Sequence, residues 1–241
     1  MSERAALVVG AGDAIGAAIL KRFARAGYTT VGCRRNPDRL SPVIEGLLKE
    51  GHKAMALKCD ARNEDEIKNL FSKIETEIAP LEVVIFNVGA NVPMKILETP
   101  TKKFYKIWEM ACFGGFLTGR EAAKYLLPRK KGTIIFTGAT ASLRGSAGFG
   151  AFASAKSGLR AVAQSLAREI MPEGIHVSHV VIDAAVDTEF VRQILPQMKP
   201  ERQVNDIVNP DSIAELYYQI HLQSPDAWTF ESDLRPWCEK W

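Results

Sequence analysis

The sequence predicts an α/β fold, a doubly wound parallel sheet with helices on both faces. Three observations carry this expectation. Short apolar runs alternate with amphipathic stretches along the chain, as in repeated strand–helix–strand units. The apolar runs are continuous in valine, isoleucine and aromatics, as strands buried on both faces require. The first run ends in a glycine turn that leads straight into a helical stretch.

Taken in order, AALVVG (5–10) is the first strand and IGAAILKRFARAG (15–27) the first helix. YTTVGC (28–33) is followed by the helical DRLSPVIEGLLKEG (38–51), and KAMALKCD (53–60) by EDEIKNLFSKIETEI (64–78). LEVVIFNVG (81–89) is the fourth strand, and a long helical pattern then runs over 101–129. GTIIFTG (132–138) precedes the helix starting FASAKSGLRAVAQ (152–174), and IHVSHVVID (175–183) is the sixth strand. Several helical stretches end in glycine, as C-caps do. Residues from Thr188 to about Pro210, rich in Met, Gln, Pro and charge, read as a mobile substrate flap with short helices. The tail, about 226–241, reads as a last strand with an aromatic extension holding Trp228, Phe230, Trp237 and Trp241. No repeat or linker breaks the chain, so residues 1–241 are expected to form one domain.

Composition narrows the function classes. The chain is 46% hydrophobic and 24% charged, which is ordinary for a globular domain. A net charge of +3 with no basic block gives no reason to expect nucleic acid. Cys33, Cys59, Cys112 and Cys238 are far apart and form no CxxC pair, so neither a metal site nor a disulfide framework is indicated. No stretch approaches the roughly 18 apolar residues of a membrane span. The expectation is a soluble, reduced, cytoplasmic protein with no membrane partner.

The turn VGAGDAIG (9–16) sits where a dinucleotide-binding chain puts its phosphate cradle. Gly10 allows the tight turn, and backbone N–H groups around Ile15 and Gly16 face a pyrophosphate at the helix start. Taken with NVG at Asn87, Val88 and Gly89, Asp60 after the third strand, and DAAVDT at 183–188, the chain resembles the short-chain dehydrogenase/reductase family over nearly its whole length. Here Val9 and Ala14 replace that family's Thr and middle Gly in TGxxxGIG, and Asp183 and Ala184 replace the Pro and Gly of PGxVxT.

The resemblance implies a Rossmann-type fold, a nicotinamide cofactor and a small-molecule substrate. It implies cofactor contacts from Gly10, Asp13, Ala14, Ile15, Gly16, Asp60, Ala61, Asn87, Val88, Gly89, Lys156, Val186 and Thr188. It also implies a homodimer or homotetramer, built through helices containing Trp108 and residues 152–169. The second strand ends GCRRN. Arg34 and Arg35 stand where an NAD enzyme places an acid, and a guanidinium suits a 2′-phosphate, which favours NADP(H) over NAD(H). Asp13 in the turn argues the other way, and solvated loop arginines are the bland alternative.

The family's catalytic tetrad is Asn, Ser, Tyr and Lys. Matched residue by residue, these positions hold Ala111, Ala139, Phe152 and Lys156. A one-residue offset at the serine offers Thr140, and the longer Tyr spacing of enoyl reductase relatives falls on Phe149. Only the lysine remains. Thr137, Thr140, Ser142, Asn91, Cys112 and Asp183 are candidate substitutes, and Asp183 beside the nicotinamide could pair with Lys156. His52, His176, His179 and His221 are scattered, and His179 in a buried strand reads as a core residue. Two readings follow: an oxidoreductase of divergent mechanism, or a non-catalytic NADP-binding sensor or assembly partner. A lyase or isomerase keeping NADP only as structure is a third.

Overall fold

The structure is a computed structural model and describes residues 3–189, 191–193 and 207–239. Its strands are β1 (Ala5–Val9), β2 (Thr29–Arg34), β3 (Ala54–Lys58), β4 (Leu81–Phe86), β5 (Thr133–Thr137), β6 (His176–Ile182) and β7 (Glu231–Leu234). They form one sheet in the order β3-β2-β1-β4-β5-β6-β7, and every neighbouring pair is parallel. β1, β5 and β6 are buried along their full length, which explains their unbroken apolar runs.

The helices are α1 (Ile15–Arg25), α2 (Ser41–Lys49), α3 (Glu64–Lys73), α4 (Thr101–Trp108), α5 (Gly114–Leu126), α6 (Gly150–Ile170) and α7 (Pro210–His221). Side chains of α3, α5 and α6 share one apolar cluster with one face of the sheet; those of α1, α2 and α7 share another with the opposite face. The chain winds outward from β1 to β3, then crosses back to β4. That reversal opens a crevice at the carboxyl ends of the strands, beside β1 and β4.

Three expectations need correction. The long helix over 101–129 is α4 and α5 joined by a π turn, Glu109–Phe113. That turn brings Cys112 against α6, where a Cβ on Gly158 would lie 2.8 Å from Cys112 Sγ. α7 starts where the segment read as a flap ends, in a stretch for which no element was expected. Asn209 caps it by accepting from the Asp211 N–H, Pro210 occupies its first turn, and Ile213, Ala214, Tyr217 and Ile220 are its buried face. Of the expected flap, residue 190 and residues 194–206 lie outside the described residues. The aromatic extension expected of the tail is dispersed among the described residues. Trp228 stacks on His176 at 4.9 Å and Phe230 packs on the core, while Trp237 is 90% exposed. Trp241 lies outside the described residues. Among those described, no helix is long and apolar enough to cross a membrane.

Candidate active site

The crevice holds a cavity of 1290 Å³, with a second of 580 Å³ adjoining it on the side of β2 and β3. Gly10, Gly12, Asn87, Val88 and Gly89 line both. Gly10 has φ 80°, and a Cβ there would meet Val88 Cγ2 at 2.6 Å. A Cβ on Gly16 would meet Ala11 Cα at the same distance, so both glycines are needed for close backbone approach. α1 begins with no side-chain cap and no acid in its first turn. Asp13, Ala14, Ile15 and Gly16 line the larger cavity at this point, leaving a helix N-terminus to face an anion. The Asn87 amide ties β4 to this turn by donating to Gly10 O at 3.2 Å.

The smaller cavity carries the four residues expected on the adenosine side, Arg34, Arg35, Asp60 and Ala61. Arg34, the expected phosphate clamp, is bound to Asp13 at 2.7 Å, so the two residues that gave opposite signals are joined. Asp60 is also occupied. Arg62 donates to both its carboxylate oxygens, at 2.9 and 2.5 Å, and holds its pKa below the ordinary carboxylate range. Arg62 also reaches Glu109 at 3.3 Å. Arg35 and Arg39 line the same cavity and are exposed, and neither forms an ion pair among the described residues. Sequence reasoning missed Arg39, which reads as an ordinary residue of a helix surface.

At the other end, α6 delivers Lys156 and Phe152 to the larger cavity. Lys156 is 2% exposed, and its Nζ donates to Thr137 O at 2.7 Å and Val88 O at 3.1 Å. No carboxylate pairs with it among the described residues, and burial pulls its pKa down to about 8. The Phe152 ring lies one turn away, its centroid 6.0 Å from Nζ. Ala139 lines the cavity too, its N–H donating to Ser142 Oγ at 3.1 Å. Ala111 is fully buried in the π turn and does not line it.

Asp183 does not meet Lys156. It is 3% exposed and lies behind the cavity wall, because its neighbours come from two other loops. Thr140 Oγ1 donates to its Oδ1 at 2.5 Å, Arg144 stands 3.4 Å away, and Arg235 stands 3.5 Å away. Of the other candidate substitutes, Thr137, Thr140 and Asn91 line the cavity. Ser142 and Cys112 are buried outside it, and burial raises the Cys112 thiol pKa. Thr137 Oγ1 accepts from the buried Tyr217 hydroxyl at 2.8 Å. Val186 and Thr188 line the cavity, Thr188 Oγ1 accepting from the Val191 N–H. Arg144 and Ser146 line it as well, and sequence reasoning missed both.

None of the four histidines lines either cavity. His179 is fully buried, with Nδ1 at 2.9 Å from a Glu231 carboxylate that Arg160 clamps at 2.6 Å, and burial lowers its pKa to about 4. His221 lies between Tyr28 and Thr133, at 2.6 and 2.8 Å. These are packing residues.

Comparison with known proteins agrees with this geometry. The family model for short chain dehydrogenases matches residues 4–199. A 2-dehydro-3-deoxy-D-gluconate 5-dehydrogenase of Formosa agariphila is 31% identical over 176 residues, which is 73% of this chain and 67% of the relative. A crystal structure of a short-chain dehydrogenase from Rhodopseudomonas palustris is 47% identical, with a TM-score of 0.84 over 97% of this chain and 99% of that one. A metagenomic short-chain oxidoreductase crystallised in complex with NADP shares the fold at 22% identity, with a TM-score of 0.83 over 99% of both chains. A glycine turn into an uncapped helix, a lysine buried at the cavity wall and a family match over most of the sequence lead to one conclusion: the chain belongs to the short-chain dehydrogenase family.

Proposed function

We propose that this chain is an NADP(H)-dependent oxidoreductase acting on a small, largely apolar substrate, with a proton route that differs from its family's. The observation that carries the cofactor preference is the pair of guanidiniums, Arg35 and Arg39, that line the adenosine-side cavity and form no ion pair among the described residues. They would hold a 2′-phosphate, while Asp13 keeps Arg34 occupied. The α1 N-terminus would take the pyrophosphate, and Lys156 the hydroxyls of the nicotinamide ribose. Bound, the cofactor supplies or accepts a hydride at its nicotinamide ring. The metagenomic short-chain oxidoreductase that shares this fold was crystallised with NADP, which supports a nicotinamide cofactor here.

Phe149 and Phe152 line the substrate side, where they exclude water and favour apolar groups. Ala111, Ala139 and Phe152 carry no proton that can be transferred. The general-acid help worth about 10²–10⁴ in rate must therefore come from another group or from solvent. The test is to follow NADPH absorbance across aldehydes, quinones and enoyl compounds. Turnover of any of them supports the reading. Tight NADPH binding with no turnover at all favours a sensor or assembly partner, a reading motivated by Phe152.

We also propose self-association into a dimer or tetramer. Tyr105, Trp108, Phe113 and Phe116 stack in sequence along α4, the π turn and α5, with successive centroids 6.4, 6.4 and 6.1 Å apart. Tyr105 and Phe116 are exposed, and a contiguous aromatic ridge of this kind marks an interaction surface. The thiols of Cys33, Cys59 and Cys112, none in a disulfide, fit a reducing cytoplasm as its location.

A further inference from the structure

We infer that Thr140 is the cavity's contact for the reacting oxygen of the substrate, locked by Asp183 as a hydrogen-bond acceptor, so that the substrate is bound as an alcohol. This rests on the reading of the cavity as a hydride-transfer site. Thr140 follows Ala139 directly and lines the larger cavity together with Phe152 and Lys156. Its hydroxyl has one proton, and that proton goes to Asp183 Oδ1 across 2.5 Å. Asp183 is buried, and among the described residues its oxygens face three donors: Thr140, the Arg144 guanidinium at 3.4 Å and the Arg235 guanidinium at 3.5 Å. A carboxylate so placed accepts and does not donate. Thr140 therefore turns lone pairs, and no proton, toward the cavity.

Of the other polar groups that line the cavity, Thr137 Oγ1 accepts from Tyr217, Lys156 donates to two backbone carbonyls, and Arg144 faces Asp183. Thr140 is thus a cavity hydroxyl whose direction is fixed by a buried charge. A substrate hydroxyl can donate to it. A carbonyl oxygen in the same place would set lone pair against lone pair and leave its own acceptor unpaired, which weakens binding by about five- to tenfold. Thr140 would touch the substrate, whereas Asp183 acts only through Thr140 and is a positioning residue.

The test uses the full chain saturated with the redox-inert tetrahydronicotinamide analogue of NADP. Binding of 1-phenylethanol and of acetophenone, a matched alcohol and ketone, is measured by NMR titration. The unaltered protein should bind the alcohol about five- to tenfold more tightly. Thr140→Ser should keep that ratio, and Thr140→Val should bring it close to one. Asp183→Asn should invert it. The amide oxygen takes the place that faces both guanidiniums, the NH₂ then donates to Thr140, and the freed threonine proton turns to the ketone. If Asp183→Asn does not fold, the two Thr140 variants still decide the matter. Equal affinity for the two probes, preference for the ketone, or binding of neither by the unaltered protein would overturn the inference. Failure of the cofactor analogue to bind would instead refute the hydride-transfer reading beneath it.

Discussion

Lys156 gives a prediction whose size follows from its surroundings. Its ammonium is buried against two carbonyls with no carboxylate among the described residues, and burial moves its pKa from 10.5 to about 8. Between those values the unfolded chain binds the extra proton and the native chain does not, so native stability rises with pH across that window. At pH 7 the native protein carries the full cost of the buried charge, about 3 kcal/mol for a shift of this size. By pH 10 most of that cost is gone. Lys156→Met removes the titration in both states. It also leaves Thr137 O and Val88 O without their donor, a loss that does not depend on pH. The stability of the variant relative to the parent should therefore be roughly 2–3 kcal/mol less favourable at pH 10 than at pH 7. Urea unfolding of both cofactor-free proteins at the two pH values measures this directly, because other titrating groups cancel in the difference. A relative stability that stays the same at both pH values would show that Lys156 is neutralised by a partner, and the reasoning would fail.

Three further outcomes are expected. Arg39→Gln should weaken NADPH binding about tenfold or more and leave NADH unchanged, whereas Asp13→Asn should free Arg34 and tighten NADPH severalfold; calorimetric titration reads both. Phe152→Tyr alone should restore little carbonyl reduction, and Ala139→Ser with Phe152→Tyr should exceed the product of the single effects, as measured by steady-state kinetics on a dicarbonyl compound. The parent should sediment as a dimer or tetramer at micromolar concentration, and Phe116→Asp should shift it toward monomer if the aromatic ridge of α4 and α5 is the interface.

Much of this was legible in the sequence because burial writes itself into composition. β1, β5 and β6 are buried on both faces, so their apolar runs have no polar alternation to confuse them. The cradle was legible because Gly10 and Gly16 stand where a Cβ would collide. α7 was missed although Asn209, Pro210 and the Ile213–Tyr217–Ile220 stripe announce it, because the polar run read as irregular reaches up to its first turn and no element was assigned beyond it. Side-chain pairing was the least legible. Asp183 was correctly set at the end of β6, but Arg144 and Arg235 reach it from loops that only the folded sheet brings together. Arg34 and Asp13 gave opposing cofactor signals in the chain, and only their 2.7 Å contact shows that they neutralise each other.

The central claim is that the two adjoining cavities hold NADP(H), with Arg35 and Arg39 on its 2′-phosphate. Calorimetric titration of the unaltered protein with NADPH and with NADH tests it most directly. The account predicts one NADPH per chain, bound at least about tenfold more tightly than NADH, since one charge-assisted contact to phosphate is worth that much. Binding of neither nucleotide, or NADH bound as tightly as NADPH, would contradict it.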